Sequence, residues 1–217
     1  SGVEHDILTD KDVVKAAIIN SAFVSGTMKK IDPKFYDDKD IIMMSGDAFF
    51  YASDRLKSDR DVVLNAVKQN GRNLLKCNEK FLFDREIVLN AVMNNGTMLE
   101  FVPPVLLKDK EIVLVAMRKM ILDHEKTRSS ILKKLPEELK DDKDIVLAAV
   151  NIRGLDLAYA SENLRNDKEV VLLAVSNDGT SLIYTSPELR ADKEVALAAV
   201  NSSGESLKYT SPELRDD

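Results

Sequence analysis

The sequence has very little of what catalytic and metal-binding proteins use. Among 217 residues there is one cysteine, Cys77, two histidines, His5 and His124, and no tryptophan. A single cysteine excludes an internal disulfide framework and fits a reducing compartment, although a protein secreted into another cell would look the same. The eight glycines stand singly, and no nucleotide-binding, metal-binding or hydrolase motif occurs. We therefore expect no catalytic residue, no metal, no cofactor and no enzymatic activity.

Long apolar runs and an excess of positive charge are also missing. No run approaches the roughly 18 residues that a membrane helix requires, so no transmembrane segment is predicted. The 31 basic residues are outnumbered by 37 acidic ones, for a net charge of -6, which argues against a whole-chain interaction with nucleic acid or anionic lipid. The expected location is the cytoplasm, or the host cytosol if the protein is secreted as an effector.

What the chain does contain is a repeated segment. Residues 167–175, DKEVVLLAV, recur with a basic period of 25 residues. Self-similarity at a fixed period between about 20 and 50 residues indicates a repeat array. We predict a single array over residues 1–217, as a fragment of a larger protein. Its units begin near Asp10, Asp38, Asp59, Asp84, Asp109, Asp142, Asp167 and Asp192.

The pattern within a unit predicts two helices. Apolar residues at positions 3, 4, 7 and 8 after the Asp form one stripe of an α-helix, and the Asp itself is a good N-cap. Five units have a glycine at position 12, where a left-handed residue would end this helix. A leucine at position 15 and an aromatic residue at position 17 indicate a short second helix. Because a lone unit cannot bury its stripe, we predict an all-α solenoid of about eight tandem short helix pairs.

Three intervals depart from the period of 25 residues. The unit from Asp10 is longer by three residues, so its first helix is expected to gain a turn. The unit from Asp38 is shorter by four, so its first helix is expected to lose about one turn. The unit from Asp109 is longer by eight and lacks the glycine, and both of its helices are expected to be extended.

The long unit also carries the clearest charged patch. Six basic residues stand against two acidic ones between positions 118 and 134. Such a run is an ordinary solvated face, or a docking site for an acidic protein segment or an anionic lipid headgroup. Nucleic acid is disfavoured as a partner because no aromatic residue interleaves the run. The candidate partner-binding residues are Arg118, Lys119, Lys126, Arg128, Lys133 and Lys134.

Other recurrent positions are interpreted mainly as structural. Cys77 lies at position 18, which is small in other units, and is expected to be a core residue. Positions 9 to 11 vary between units, as expected for specificity or for drift. The aromatic residues near position 17 are expected to lie mostly in the core, with a tyrosine hydroxyl lining a groove as the alternative. These aromatic residues are Tyr51, Phe101, Tyr159, Tyr184 and Tyr209.

The repeat signature D-K-E-V-V-L-x-A-V-x-x-x-G-x-x-L-x-Y-x-S-x-E-L-R resembles the bacterial domain of unknown function family 4116. The best matches are residues 142–165, 167–190 and 192–215. The resemblance implies helical repeats, often within large proteins of intracellular bacteria, including secreted effectors, and it implies no catalytic residues.

The expected function is therefore a non-enzymatic scaffold that binds a protein partner of unknown identity, as a module of a secreted bacterial effector. Two alternatives remain open. The chain is a substrate-recruiting or regulatory arm of an enzyme whose catalytic domain lies outside it, or it docks weakly on anionic membranes through the 118–134 patch.

Overall fold

A computed structural model describes residues 7–125 and 129–215. The chain divides into two compact units, one ending at Met98 and one beginning at Leu99, and each is described by itself. In the described ranges the regular structure is helical, apart from an isolated β-bridge between Leu8 and Ile31. The predicted all-α repeat architecture is confirmed, whereas the extent of the array as a single domain stays a prediction.

The first unit contains four helices that each follow a recurrent Asp. We label them α1 to α4: Lys11–Ile19, Lys39–Met43, Arg60–Gln69 and Arg85–Asn94. Two shorter α-helices are Val24–Met28 and Asp54–Lys57. The 3₁₀ helices are Pro33–Asp37, Ala48–Tyr51, Gly71–Leu75 and Glu79–Phe83. A further 3₁₀ helix, Gly96–Phe101, includes the boundary between the units.

The second unit repeats the scheme with helices α5 to α8: Lys110–Leu122, Lys143–Ile152, Lys168–Asn177 and Lys193–Ser202. The short α-helices are Glu137–Lys140, Glu162–Arg165, Pro187–Arg190 and Pro212–Arg215. The 3₁₀ helices are Leu106–Lys108, Leu132–Lys134, Gly154–Tyr159, Gly179–Tyr184 and Gly204–Tyr209. Consecutive repeat helices pack side by side within the unit, and so do consecutive 3₁₀ helices from Leu132–Lys134 onward.

The recurrent Asp starts each repeat helix in the predicted way. Asp167 Oδ1 accepts hydrogen bonds from the backbone N–H groups of Glu169 and Val170, at 3.0 and 3.2 Å. These are two of the four N–H groups that a helix start leaves without a partner. The apolar stripe is also confirmed, because all four of its positions in α7 are completely buried: Val170, Val171, Ala174 and Val175.

Within each compact unit, a basic residue directly after the Asp joins one repeat to the next, a role that the sequence analysis did not assign. Lys168 Nζ lies 2.7 Å from Asp192 Oδ2, the N-cap of α8, and 2.9 Å from Glu194 Oε2 in its first turn. One lysine thus neutralises two acids that the next helix needs at its positive end. The residues that make the equivalent contacts are Lys11, Lys39, Arg60, Lys110 and Lys143.

The glycines at position 12 do not end the repeat helices in a left-handed conformation, so that prediction is wrong. No described glycine has a positive φ. Each instead begins a 3₁₀ helix, and three of them lie against the backbone of the next repeat. A Cβ atom at three of them would overlap with an alanine carbonyl oxygen; the pairs are Gly71 with Ala91, Gly154 with Ala174, and Gly179 with Ala199. Glycine is required because two backbones approach closely.

The residue at position 10 is also structural, where variability had suggested specificity or drift. Asn94 Oδ1 accepts from the N–H of Gly71 at 2.8 Å, and its amide donates to the carbonyl of Lys68 at 3.1 Å. Asn177 and Ser202 accept from Gly154 and Gly179 in the same way. Asn and Ser both supply a suitable acceptor, which explains their exchange at this position, whereas Ile152 at position 10 of the repeat from Asp142 supplies none.

The repeats that depart from the 25-residue period agree with their predictions only in part. Helix α2 has five residues, so the expected loss of a turn is confirmed. Helix α1 has nine residues, one fewer than α3 and α4, so the expected gain of a turn is wrong; the separate helix Val24–Met28 follows it. In the long repeat α5 is extended to 13 residues as predicted. The expected extension of the second helix is wrong for the described residues, in which the three-residue 3₁₀ helix Leu132–Lys134 precedes the short helix Glu137–Lys140.

The left-handed residue that glycine was expected to supply occurs at His124, after α5. His124 has a φ of 54°. The N–H of Glu125 donates to the carbonyl of Met120 at 2.9 Å, and that of His124 to Ile121 at 3.2 Å. This pair of bonds is a Schellman motif, which satisfies carbonyls left open at a helix end. The exposed His124 therefore has a local role in ending α5.

Candidate functional site

The aromatic residues near position 17 lie mostly at the surface, so their assignment to the core is wrong. Tyr159 and Tyr184 are each 38 % exposed, and Phe101 is 48 % exposed. They belong to 3₁₀ helices, in which residues three apart share a face. Position 15 and position 18 therefore point inward together, as buried Leu182 and Thr185 do. Positions 16 and 17 are left facing water.

A recess lies beside these aromatic residues in the second unit. Its volume is about 290 Å³. Ile183 and Tyr184 are its exposed apolar residues, and Arg165 and Arg190 are its cations. Its other lining residues are Glu162, Asn166, Thr185, Ser186 and Pro187. The recess thus combines an aromatic wall, a proline and two guanidinium groups.

The two arginines are held differently. Arg190 donates from Nε to the carbonyl of Thr185 at 3.1 Å and from a terminal nitrogen to that of Ile183 at 3.2 Å. These bonds fix the guanidinium beneath the aromatic wall. The Nε of Arg165 is buried and has no hydrogen-bond partner in the described part of the chain.

A recess of similar composition lies in the first unit. Its volume is about 420 Å³. Phe50, which is 56 % exposed, forms an edge-on contact with Tyr51, with ring centroids 5.2 Å apart. Lys76 Nζ lies 5.4 Å from the centre of the Phe50 ring, within range of a cation–π interaction, and Arg72 also lines the recess. Each of the two compact units therefore has one recess in which an exposed aromatic residue lies next to two cations.

The predicted basic patch lies on two elements. Arg118 and Lys119 are on α5, and Lys133 and Lys134 are on the 3₁₀ helix Leu132–Lys134. Arg118, Lys133 and Lys134 are exposed, while Lys119 is engaged with Asp123 at 2.9 Å. Two further predicted residues, Lys126 and Arg128, lie outside the described residues. Binding of an acidic segment or an anionic lipid by this patch stays a prediction.

Groups suited to chemistry are few in the described residues. Cys77 is half-buried, and burial raises the pKa of its thiol to about 11, opposite to the shift that activates a nucleophile. Its thiol donates to the carbonyl of Leu74 at 3.2 Å, as the hydroxyl of Thr185 does to Leu182 at 2.9 Å. Within residues 7–125 and 129–215 no group of His, Cys, Asp or Glu is placed to hold a metal. Over the same ranges, every helix is too short or too polar to span a bilayer.

The recess residues other than the tyrosines were missed by the sequence analysis. The signal was present, since exposed positions 16 and 17 hold Ile183 and Tyr184 and position 23 holds Arg165 or Arg190. To identify these positions as exposed, the segment has to be placed on a 3₁₀ helix with three residues per turn. An α-helix with 3.6 residues per turn was expected instead.

Fold and surface together define an all-α repeat protein whose repeat signature encodes the packing of consecutive repeats within each compact unit. A family model with the description Domain of unknown function (DUF4116) matches residues 38–82, 84–122, 126–165, 149–190 and 167–215. The chain belongs to this family, as the resemblance of its repeat signature predicted. No curated protein and no solved structure matched the chain.

Proposed function

We propose that the chain is a non-enzymatic protein-interaction module that binds partner segments in the recesses beside its 3₁₀ helices. The observation that carries the proposal is the exposure of Tyr184 and Phe50 beside paired cations, in two separate units. Aromatic residues and arginine are the residue types most enriched among the dominant contributors to protein interfaces.

The composition of the recesses defines the partner. Their aromatic and aliphatic walls suit an apolar side chain, and their arginine and lysine groups suit a carboxylate next to it. Both recesses have the few hundred cubic ångströms that one or two side chains fill. The partner is therefore a protein segment that places an aromatic or aliphatic residue beside Asp or Glu.

A displayed library of random peptides tests the proposal. Selection on the wild-type chain is expected to enrich sequences that combine acidic with aromatic or aliphatic residues. The double variant Ile183→Ser with Tyr184→Ala removes the apolar wall of one recess, and Phe50→Ser removes that of the other. A chain carrying all three changes should lose the enriched peptides.

Leu122→Ser is the matched control, because Leu122 is 75 % exposed and lines neither recess. It should bind the enriched peptides with wild-type affinity in calorimetric titrations. Equal binding by the wild type and the triple variant, with both correctly folded by circular dichroism, would refute the proposal. So would the absence of any enriched sequence.

A further inference from the structure

Tyrosines occupy position 17 in three consecutive repeats of the second unit: Tyr159, Tyr184 and Tyr209. Each is the final residue of a 3₁₀ helix, and these three helices pack side by side. Tyr159 and Tyr184 are exposed, and Tyr209 is half-buried. Because the three side chains come from the same position of stacked repeats, they form one row, which we call the tyrosine row.

The hydroxyl groups of the tyrosine row are free to donate. None of the three makes a hydrogen bond to another described residue. In the first unit, by contrast, the Tyr51 hydroxyl donates to the carbonyl of Ser25 at 3.1 Å. The tyrosine row therefore combines partly exposed rings with donors that a bound segment with open carbonyl groups would satisfy.

The packing of the repeats sets the spacing of the tyrosine row. Axes of packed helices lie about 8–10 Å apart, and a Cβ atom at Gly154 or Gly179 would overlap with the backbone of the next repeat. Two residues after Tyr209, the N–H of Ser211 donates to the carbonyl of Arg190, in the preceding repeat, at 3.1 Å. Successive tyrosines are therefore expected one repeat, about 8–10 Å, apart.

Among the regular backbone conformations, the polyproline II helix matches this spacing. It has three residues per turn and a rise of about 3.1 Å per residue, so one face recurs every ~9.3 Å. A β-strand presents the same face every ~6.7 Å, which falls out of step with the tyrosines after one repeat. An α-helix presents it after two turns, about 11 Å, but its carbonyl groups are bonded internally and would leave the tyrosine hydroxyls without acceptors. The carbonyl groups of a polyproline II segment have no internal bonds, and aromatic-lined grooves are the usual docking surface for such segments.

The cations beside the tyrosine row define the residues between the prolines. Arg165 and Arg190 line the recess of the second unit against a single acid, Glu162. Both arginines occupy position 23 of their repeats, so they recur with the same period as the tyrosines. In the third repeat, Lys208 Nζ lies 4.9 Å from the centre of the Tyr209 ring. A carboxylate placed once per turn of the ligand would therefore meet one cation per repeat.

We propose that the tyrosine row binds a polyproline II segment with proline at every third position and an acidic residue between successive prolines. Each proline packs on one tyrosine, each tyrosine hydroxyl donates to a carbonyl of the segment, and the acidic residues contact Arg165 and Arg190. This inference rests on the proposed function and narrows its partner, because the apolar residue becomes proline with a period of three. The equivalent residue in the repeat from Asp59 of the first unit is Lys76, so this mode of binding belongs to the second unit.

Titration calorimetry with two synthetic peptides of equal length and composition tests this inference. The first peptide repeats Pro-Glu-Ala, and the second contains the same residues with its prolines at every fourth position. The first peptide is expected to bind the wild-type chain about tenfold more tightly, the equivalent of about 1.4 kcal/mol. Lengthening the first peptide from two prolines to three should tighten binding further, because a third tyrosine is engaged.

Variants of one tyrosine test the contact itself. Tyr184→Phe removes the hydroxyl and keeps the ring, so it should weaken binding of the first peptide about twofold to tenfold, the usual effect of losing one hydrogen bond. Tyr184→Ala removes the ring as well and should weaken binding more. Phe83→Ala is the matched control, because Phe83 is an aromatic residue at the end of a 3₁₀ helix in the first unit and is 61 % exposed. It should bind the peptide like the wild type.

Equal binding of the two peptides overturns the inference, and so does unchanged binding by either Tyr184 variant. The peptide display separates this failure from a failure of the proposed function. Enriched acidic peptides that bind without a three-residue proline period overturn the polyproline inference and leave the interaction module standing. If neither the synthetic nor the displayed peptides bind, both proposals fail.

Discussion

Single atoms decide how closely two repeats approach at the glycine of position 12. At Gly179 the backbone lies against Ala199 in α8 and against the hydroxyl of Ser206, leaving no room for a methyl group. The glycine is therefore selected by contact with the next repeat and not by its own backbone conformation. A glycine outside such a contact tolerates a side chain.

The Gly179→Ala substitution should consequently destabilise the second unit by about 1–3 kcal/mol, the usual cost of inserting an extra methyl group into a packed interior. Gly204→Ala is the matched control, because it lies at the same position with open space around it. It should leave stability unchanged or raise it by up to about 1 kcal/mol by restricting the unfolded chain. Urea unfolding gives both values, and equal values would contradict the close approach.

Asp156 is a buried polar residue that accepts hydrogen bonds from the backbone of the preceding repeat. Position 14 is buried and polar in several repeats; examples are Asn73, Ser181 and Ser206. Asp156 lies in the repeat that begins at Asp142, and its Oδ2 accepts from the N–H of Ile131, in the preceding long repeat, at 3.0 Å. It therefore caps the start of the 3₁₀ helix Leu132–Lys134. Burial raises the pKa of this carboxyl, and these backbone donors oppose the rise.

Removing this cap should be costly. Asp156→Ala leaves the N–H groups of Ile131 and Leu132 buried without an acceptor, which should cost about 1–3 kcal/mol. The matched control is Ser181→Ala, since the Ser181 hydroxyl is buried at the same position and has no hydrogen-bond partner among the described residues. That change should be close to neutral. Thermal and urea unfolding compare the two, and a Ser181→Ala loss as large as that of Asp156→Ala would contradict the capping role.

Element by element, the sequence predicted the repeat helices well and the segments between them poorly. The N-cap Asp and the apolar stripe act within one helix, so their spacing encodes the structure directly. The roles of Gly179, Asn94 and Lys168 depend on a residue about 20 to 25 positions away. Such contacts can be identified only from a structure in which consecutive repeats are packed against each other. The exposure of Tyr184 was missed for a different reason, because a run of six residues does not distinguish a 3₁₀ helix from an α-helix.

At the scale of the whole molecule, the helix-capping acids recur often enough to govern its response to acid. At several caps the lysine or arginine of the preceding repeat donates to the carboxyl group and is the main reason that its pKa lies below the usual range; burial opposes the shift, and backbone donors reinforce it. The carboxyl groups for which the basic partner is the largest cause are Asp59, Asp84, Asp167 and Asp192.

A folded-state pKa below the unfolded value contributes stability that is fully present above the unfolded pKa and is lost as the pH falls through the folded one. We therefore expect the free energy of unfolding to be nearly constant around neutral pH and to fall steeply below about pH 4, where unfolded aspartates protonate. Asp167→Asn keeps an N-cap acceptor but cannot titrate, so its stability should fall less steeply with acid. Glu205→Gln, at an exposed carboxyl group outside these ion pairs, should reproduce the wild-type curve. Urea unfolding of the three proteins between pH 2 and 8, a range that spans about two units below and four above the ordinary Asp value, measures the slopes. An Asp167→Asn curve as steep as the wild-type one would show that this ion pair does not control acid stability.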